Sequence, residues 1–215
     1  MAPDSYEFGQ KDSRSTILKQ MSVNQNNVLQ RAWQSKLDDL PFKTPEEALI
    51  LASIIEKETG LKSERRIIAS VFINRLKKGM PLQTDPTVIY GITKGKEVLG
   101  RGLRQSELRK DTPWNTYLRG GLPPTPIANP GEQSIFAALN PENTDFIFFV
   151  ADGTGGHAFA TNLDDHNKNV SKWRAIERNS KEFKDVFKNA GLFIVVLLLV
   201  SASFRIFGSF IIAKA

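Results

Sequence analysis

Two consecutive helix patterns over residues 44–79 restrict the fold of this chain more than any other feature. Thr44 precedes a proline and, three positions on, a glutamate, which is the arrangement of an N-cap residue, a first-turn proline and a capping box. The helix is predicted to end at about Thr59, with Gly60 as its stop. A second helix is predicted over residues 63–79. Because so few residues separate them, the two helices are expected to form a hairpin.

Glu58 is the residue of this hairpin best suited to chemistry. One helix face, with members spaced i, i+3, i+4 and i+7, holds Leu51, Ile54, Ile55 and Glu58. A carboxyl group that continues an apolar face loses hydration, and this one also lies near the negative end of the helix dipole. Both effects raise its pKa and suit it to general acid catalysis near neutral pH. The alternative is a surface glutamate or salt-bridge partner, and Glu56 on another side of the helix is expected to be solvated.

The rest of the chain predicts an α+β fold around the hairpin. With 40% hydrophobic and 24% charged residues, the composition is that of a globular protein. Residues 80–130 are rich in proline, glycine, threonine, asparagine and glutamine, but interleaved aromatic residues indicate an ordered irregular layer. The other predicted elements are an amphipathic helix at 13–37, a short helix at 131–139, a β-hairpin of a buried strand at 146–151 and a second strand at 157–161, and a last helix from about 162–165.

Polar residues of the predicted loops are candidates to line a cleft with Glu58. Amides, hydroxyls and aromatic faces together suit a sugar, whose hydroxyls exchange water for protein hydrogen bonds while its ring faces stack. Asp85 is a candidate second carboxylate for a hydrolase if it lies about 5–9 Å from Glu58, and a turn residue otherwise. The candidates are Gln83, Thr84, Asp85, Thr87 and Tyr90 in one predicted loop and Asn115, Thr116 and Tyr117 in another.

Composition and short motifs argue against several other kinds of site. The chain has no cysteine and two histidines, His157 and His166, so a zinc site lacks ligands unless carboxylates supply them. Each histidine is either a ligand-binding or proton-carrying residue or a structural one. The glycine-rich run 153–156 lacks the lysine of a phosphate-binding loop. The net charge of +6 is spread along the chain, which fits an anionic polymer or a membrane surface as well as nucleic acid.

The C-terminal segment differs from the rest of the chain. The mean hydropathy of −0.27 hides an apolar run at residues 190–213 that is interrupted by a single charge, Arg205. This run is long enough to span a hydrocarbon core of about 30 Å. Residues 181–215 are therefore predicted to be a basic linker and a membrane-spanning helix, with a buried or aberrant tail as the alternative. No signal-peptide pattern follows Met1.

Four long motifs follow one another along the chain: LASIIEKETG, SERRIIASVFINRLKKGMPLQTDPTVIYG, NTYLRGGLPPTPIANPG and FFVADGTGGHAFATNLDDHN. Their sequence and order resemble those of the YceG-like endolytic murein transglycosylases, the MltG family. The resemblance implies a helical lysozyme-like catalytic domain with a small β-hairpin over residues 1–180. The apolar C-terminal helix that we predict after it is foreign to the family.

The resemblance also implies an activity. Enzymes of this family cut glycan strands within nascent peptidoglycan on the periplasmic, outer face of the bacterial inner membrane, which contributes to ending glycan elongation. They cleave between N-acetylmuramic acid and N-acetylglucosamine and leave 1,6-anhydro-N-acetylmuramyl ends. The family's catalytic glutamate, the second of its Glu-Lys-Glu-Thr motif, falls on Glu58, which acts first as acid and then as base, so that no metal or other cofactor is implied. The expected cleft residues are Gln83, Thr84, Asp85, Tyr90, Asn115, Tyr117, His157 and Asn162.

Departures from the family pattern leave alternatives open. Family members normally begin with an N-terminal transmembrane helix and a LysM-like module, which we do not expect in this chain, and end soon after the helix that contains Trp173. The tail is then either a substitute anchor or the mark of a truncated or frame-shifted product. The expected partners are peptidoglycan strands, the membrane and cell-wall synthases or divisome proteins, without nucleic acid. The alternatives to the lyase are a muramidase, with Asp85 as its second carboxylate, and an inactive glycan-binding or divisome scaffold.

Overall fold

The computed structural model describes residues 1–179, which combine helices with one small antiparallel sheet and confirm the α+β class. The predicted linker and apolar helix at 190–213 lie outside the described residues. Between residues 1 and 179, no helix combines the length and the apolar character needed to cross a membrane. The elements are α1 (Arg14–Gln34), α2 (Pro45–Glu58), α3 (Arg65–Lys77), α4 (Asp85–Thr93), α5 (Gln105–Leu108), α6 (Glu132–Leu139), β1 (Phe148–Ala151), β2 (His157–Ala160) and α7 over residues 163–179.

α2 is the central helix of the core. Its residues Leu51, Ile54 and Ile55 have no exposed surface, and Ala48 and Ala52 are equally buried. Burial of this kind is worth about 1.5–3 kcal/mol for each large aliphatic side chain. α6 packs along α2, while α1 and α3 contact both of these helices and α4 packs against α2. The helix that ends in Glu58 is therefore held on several sides.

α2 begins where the sequence predicts, but Glu47 accepts its hydrogen bond from the residue before the N-cap instead of from the N-cap itself. Thr44 Oγ1 accepts a hydrogen bond from the backbone N–H of Glu47 at 3.4 Å. The Glu47 carboxylate accepts from the backbone N–H of Lys43 at 2.6 Å, whereas in a capping box it accepts from the N-cap residue itself. The helix ends at Glu58 because Thr59 adopts an extended backbone.

Glu56 joins α2 to α6, which corrects the prediction that it is solvated. The residue is half-buried. Its Oε2 accepts hydrogen bonds from the backbone N–H of Gly131 at 3.0 Å and from Ser134 Oγ at 2.6 Å. Gly131 and Ser134 lie at the N-terminus of α6, where backbone N–H groups lack helical partners and a negative charge is favourable. Glu56 therefore caps α6 from a neighbouring helix.

Residues 80–130 contain two helices, α4 and α5, which corrects the prediction of an irregular layer. α4 begins at Asp85, with Pro86 in its first turn and Thr87 on its buried face. A proline is accepted in the first helical turn because its missing N–H has no helical partner there. The prediction that Asp85, Thr87 and Tyr90 belong to a loop was therefore wrong, and all three are helical.

β1 and β2 form the predicted hairpin. They pair antiparallel, with Phe149 opposite Phe159. Asp152 closes the turn by accepting hydrogen bonds from the backbone N–H groups of Thr154 at 2.7 Å and Gly156 at 3.2 Å. The first strand was predicted to be buried, but it is half-buried along its length, because a two-stranded sheet has no central strand enclosed by neighbours.

Candidate active site

Glu58 lies at the end of the central helix, next to the segment that leads into α4. Its carboxylate accepts a hydrogen bond from the Thr84 hydroxyl. Burial, the largest influence, raises the pKa of the Glu58 carboxyl above its ordinary value, and the negative charge of Asp85 adds to this rise. The hydrogen bond from Thr84 and the charge of His157 oppose it. The structure therefore places here a carboxyl group whose protonated form is stabilised relative to that of an ordinary glutamate.

Asp85 and Tyr117 form a second polar pair close to Glu58. Tyr117 Oη donates a hydrogen bond to Asp85 Oδ1 at 2.7 Å. Burial, this hydrogen bond and the negative charges of Asp85 and Glu58 raise the pKa of the Tyr117 phenol well above its ordinary range. Asp85 is exposed, whereas Glu58 and Tyr117 are partly buried, so the cluster opens to solvent on the side of Asp85.

Buried threonine hydroxyls hold Thr84 in place. Its backbone N–H donates to Thr116 Oγ1 at 3.2 Å. Thr87 Oγ1 lies 2.8 Å from the same hydroxyl oxygen and donates to the Thr84 carbonyl at 2.7 Å. All three threonines are more than nine-tenths buried. Thr87 and Thr116 thus brace the segment that presents the Thr84 hydroxyl to Glu58.

Gln83 precedes Thr84 in an uncommon backbone conformation. Its φ of +52° lies in the left-handed region, which non-glycine residues rarely adopt. The Gln83 backbone N–H donates to the Thr116 carbonyl at 3.1 Å, and its Oε1 accepts from Arg75 Nη1 at 3.2 Å. These bonds on both sides of the residue hold the turn that leads to Thr84, and the side chain is exposed.

Asn115 lies in the interior, where its amide supports the loop that carries Tyr117. It has no exposed surface. Its Nδ2 donates to the carbonyl oxygens of Leu108 and Lys110, each at 2.9 Å, and its Oδ1 accepts from the backbone N–H of Tyr117 at 3.0 Å. Both the nitrogen and the oxygen of this side-chain amide are thus hydrogen-bonded within the loop.

Tyr90 packs against Trp114 and lines a cavity that is separate from the Glu58 cluster. Its ring centroid is 5.6 Å from that of Trp114 in an edge-to-face arrangement, and Lys94 Nζ lies 3.1 Å from the Trp114 centroid. Tyr90 lines a cavity of about 590 Å³ together with Lys57, and Glu58 is not among the lining residues. The structure thus brings together Glu58, Thr84 and Asp85 but places Tyr90 on another side of α4.

The two histidines and Asn162 occupy different environments. His157, at the start of β2, bonds to Glu64 through its backbone N–H and through Nδ1, at 2.8 and 2.7 Å. His166 stacks on Phe148 with centroids 4.9 Å apart, and burial followed by the charge of Arg75 lowers its pKa. Asn162 is exposed and its Oδ1 accepts from the backbone N–H of Asp165 at 2.9 Å, which caps α7.

Arg75 is a site-organising residue that the sequence analysis missed. The residue is 7% exposed. It donates to the carbonyl oxygens of Ile147 at 2.6 Å, Pro81 at 3.1 Å and Leu82 at 3.0 Å, besides the Gln83 amide oxygen. The sequence does carry a signal for its burial. Arg75 follows the buried Ile68, Val71 and Phe72 at the same i, i+3, i+4, i+7 spacing that selects Glu58. Glu64 was also missed and carries no comparable local signal.

A metal centre is not suggested by the described part of the chain. Within residues 1–179, no three or more histidine, aspartate or glutamate side chains are grouped so that they could hold an ion. The cluster around Glu58 consists of one protonatable carboxyl group, a second carboxylate, a phenol, a hydroxyl and an imidazole. Chemically, such a set can donate and accept protons and bind hydroxyl groups.

A family model described as the YceG-like family matches residues 1–172. The chain belongs to this family. A crystal structure of a YceG-like protein from Listeria monocytogenes is 36% identical, covers 77% of this chain and 53% of its own, and superposes with a TM-score of 0.62. The resemblance stated from the four motifs is therefore confirmed.

Curated relatives of this YceG-like chain carry the name endolytic murein transglycosylase. The protein from Bacillus subtilis is 41% identical over 172 residues, which make up 80% of this chain and 46% of that protein. The protein from Streptococcus pneumoniae strain D39 is 37% identical over 135 residues, which make up 60% of this chain and 24% of that protein. The chain thus spans half or less of the length of these relatives.

Proposed function

We propose that this chain is the catalytic part of an endolytic murein lytic transglycosylase, with Glu58 as its acid and base. The observation that carries the proposal is the partly buried Glu58 carboxyl, whose pKa burial raises, bonded to Thr84 at the edge of a polar cluster open to solvent. Relatives named for this activity support the substrate, peptidoglycan glycan. In this proposal the helical part is lysozyme-like: α2 carries the acid, and α4 with the loop around Tyr117 forms the facing wall.

The proposed reaction has two proton transfers and needs one carboxyl group. Protonated Glu58 gives its proton to the glycosidic oxygen as the bond from that oxygen to C1 of N-acetylmuramic acid breaks, and N-acetylglucosamine leaves with a hydroxyl group. The Glu58 carboxylate then takes the proton of the muramyl C6 hydroxyl as O6 bonds to C1. This closes the 1,6-anhydro ring and restores the acid, so that no water is consumed.

The surrounding groups fit these two steps. The Thr84 hydroxyl holds the Glu58 carboxylate in one orientation, which keeps its free oxygen available to the substrate. Asp85 raises the pKa of Glu58 and so favours the acid needed first. Because Asp85 accepts a hydrogen bond from Tyr117, we assign it to tuning the acid rather than to attack on the sugar.

The deciding experiment digests purified sacculi and nascent glycan and identifies the new ends by mass spectrometry. We expect the wild type to leave 1,6-anhydro ends and Glu58→Gln to lose cleavage by at least about a hundredfold, the usual scale for a missing general acid. Glu46→Gln, which alters an exposed carboxylate in the first turn of the same helix, is the matched control and should retain activity. Reducing ends would indicate a muramidase, and glycan binding without cleavage by the wild type would indicate a scaffold.

The proposed location follows from the substrate. Peptidoglycan is assembled outside the bacterial inner membrane, so we propose that the catalytic domain works on the periplasmic, outer face, near cell-wall synthases and divisome proteins. The apolar segment 190–213 would anchor the domain to this membrane, since its length suits a hydrocarbon core of about 30 Å. Protease accessibility of the tail and the catalytic domain in intact and permeabilised spheroplasts tests this topology. A catalytic domain that is digested only after permeabilisation would contradict it.

A further inference from the structure

Glu64 sits at a helix N-terminus but directs its carboxylate elsewhere. It is the N-cap residue of α3, yet its side chain makes no capping hydrogen bond to that helix. Oε1 accepts from the backbone N–H of His157 at 2.8 Å, and Oε2 lies 2.7 Å from His157 Nδ1. Oε2 also accepts from Thr59 Oγ1 at 3.3 Å. One carboxylate therefore joins β2 to the residue that directly follows Glu58.

The contact between Glu64 and His157 selects one form of the imidazole. A carboxylate is an acceptor only, so His157 Nδ1 must carry the hydrogen that lies between them. In the neutral ring the other nitrogen, Nε2, is then an acceptor. The Glu64 and His157 side chains are 13% and 16% exposed, so little water competes for this bond.

The local backbone is shaped to allow this contact. A Cβ atom on Gly156 would lie 2.7 Å from Glu64 Oε1, so no larger residue fits at that position without displacing the carboxylate. Thr59, which directly follows Glu58, and His157 bond to the same Glu64 oxygen, Oε2. Glu64 therefore holds the His157 imidazole beside the end of α2 that carries Glu58.

We propose that Glu64 is a positioning residue that fixes His157 in the Nδ1–H form, so that Nε2 faces the glycan as a hydrogen-bond acceptor for a substrate hydroxyl or amide N–H. The inference rests on the proposed function for the identity of the glycan. It deepens that function by assigning a second substrate-contacting group, His157, and the residue that orients it. Glu58 remains the acid and base of the reaction.

Glu64→Gln is the informative variant because the hydrogen bonds at this position determine which tautomer His157 adopts. The backbone N–H of His157 needs an acceptor, so the glutamine Oε1 takes the place of Glu64 Oε1. Its NH₂ group then faces Nδ1, which must accept instead of donate. The ring is thereby switched to the Nε2–H form, and the acceptor toward the substrate is lost while the side-chain volume stays the same.

The tautomer is measured directly by long-range ¹H–¹⁵N correlation spectra of protein labelled in histidine, at a pH where the ¹⁵N shifts no longer change. The chain has two histidines, so the His157→Gln spectrum assigns both rings. We expect the Nδ1–H form in the wild type and in Glu142→Gln, a control that changes an exposed carboxylate paired with α3 residue Arg66. We expect the Nε2–H form in Glu64→Gln; an unchanged Nδ1–H form would overturn the proposal.

Turnover provides the second readout. Glu64→Gln and His157→Gln should each lower kcat by about tenfold, the scale of one lost hydrogen bond, and the double variant should lose no more than either one. Losses that multiply would mean that Glu64 and His157 act independently on turnover, which overturns the positioning role. A wild type without lyase activity would overturn the proposed function alone, and the tautomer switch would still support the role of Glu64.

Discussion

At the scale of single residues, the candidate site depends on charges placed around one carboxyl group. Burial and Asp85 raise the pKa of Glu58, while Thr84 and His157 lower it. A general acid works only in its protonated form, so these neighbours decide over which pH range Glu58 can act. Asp85 is the neighbour whose effect can be removed with the least structural change.

Asp85→Asn should move the pH dependence of cleavage to lower pH. The variant removes a negative charge beside Glu58 but keeps a carbonyl oxygen that can accept from Tyr117. Without that charge the pKa of Glu58 falls, so the carboxyl group ionises at a lower pH than in the wild type. Cleavage is therefore lost at a lower pH as well. The measurement is the pH profile of anhydro-end formation. Asp111→Asn removes an exposed carboxylate that pairs with Arg119 and should leave the pH profile unchanged. A pH profile of Asp85→Asn that shifts to higher pH would contradict the argument.

At the scale of secondary-structure elements, side chains of one element satisfy the ends of another. Glu56 of α2 caps α6 through Gly131 and Ser134. Ser53 of α2 accepts from the backbone N–H of Ile127 at 2.9 Å, which holds the segment before α6. The short α6 is thus attached to the central helix by polar contacts as well as by its apolar face.

Glu56→Ala should destabilise the protein by about 1 kcal/mol, the usual cost of a lost helix cap. The substitution leaves the N–H of Gly131 and the hydroxyl of Ser134 without their carboxylate partner. Urea unfolding followed by circular dichroism measures the change. Glu46→Ala, at an exposed position of the same helix, should change the midpoint much less, and equal midpoints for the two variants would rule out the capping role.

At the scale of the whole molecule, Arg75 joins the segments that surround the site. Its guanidinium bonds to residues 81–83, which lead into α4, and to residue 147, which leads into β1. Burial is the main influence that lowers the pKa of Arg75. The cluster at Glu58 therefore depends on one buried cation that contacts neither Glu58 nor Asp85 by a hydrogen bond among those described.

Arg75→Met should lower the free energy of unfolding by about 3 kcal/mol or more, because several buried carbonyl oxygens lose their donor. It should also reduce cleavage, since Gln83 and Thr84 lose their support. Thermal and urea unfolding measure the first effect and glycan digestion the second. Arg66→Met on the same helix removes an exposed ion pair with Glu142, so it should cost about 0–1 kcal/mol; an equal loss in both variants would refute the role of Arg75.

Periodicity predicted the parts of the molecule that local sequence determines. The buried face of α2 with Glu58 at its end, the helical hairpin and the β-hairpin all follow from spacing and cap residues. The start of α4 was missed because Asp85-Pro86 fits a turn as well as a helix. The bonds from Glu58 to Thr84 and from Glu64 to His157 join distant parts of the chain, and no local pattern encodes such pairs.

The central position of α2 also determines how the site moves. Amides of a helix buried on several sides exchange with solvent only when the whole domain unfolds, whereas connecting segments exchange through local opening. Glu58 ends such a helix, while Gln83, Thr84 and Tyr117 lie on or beside connecting segments. We therefore expect the Glu58 carboxyl to keep its position while the connecting segments around it open locally.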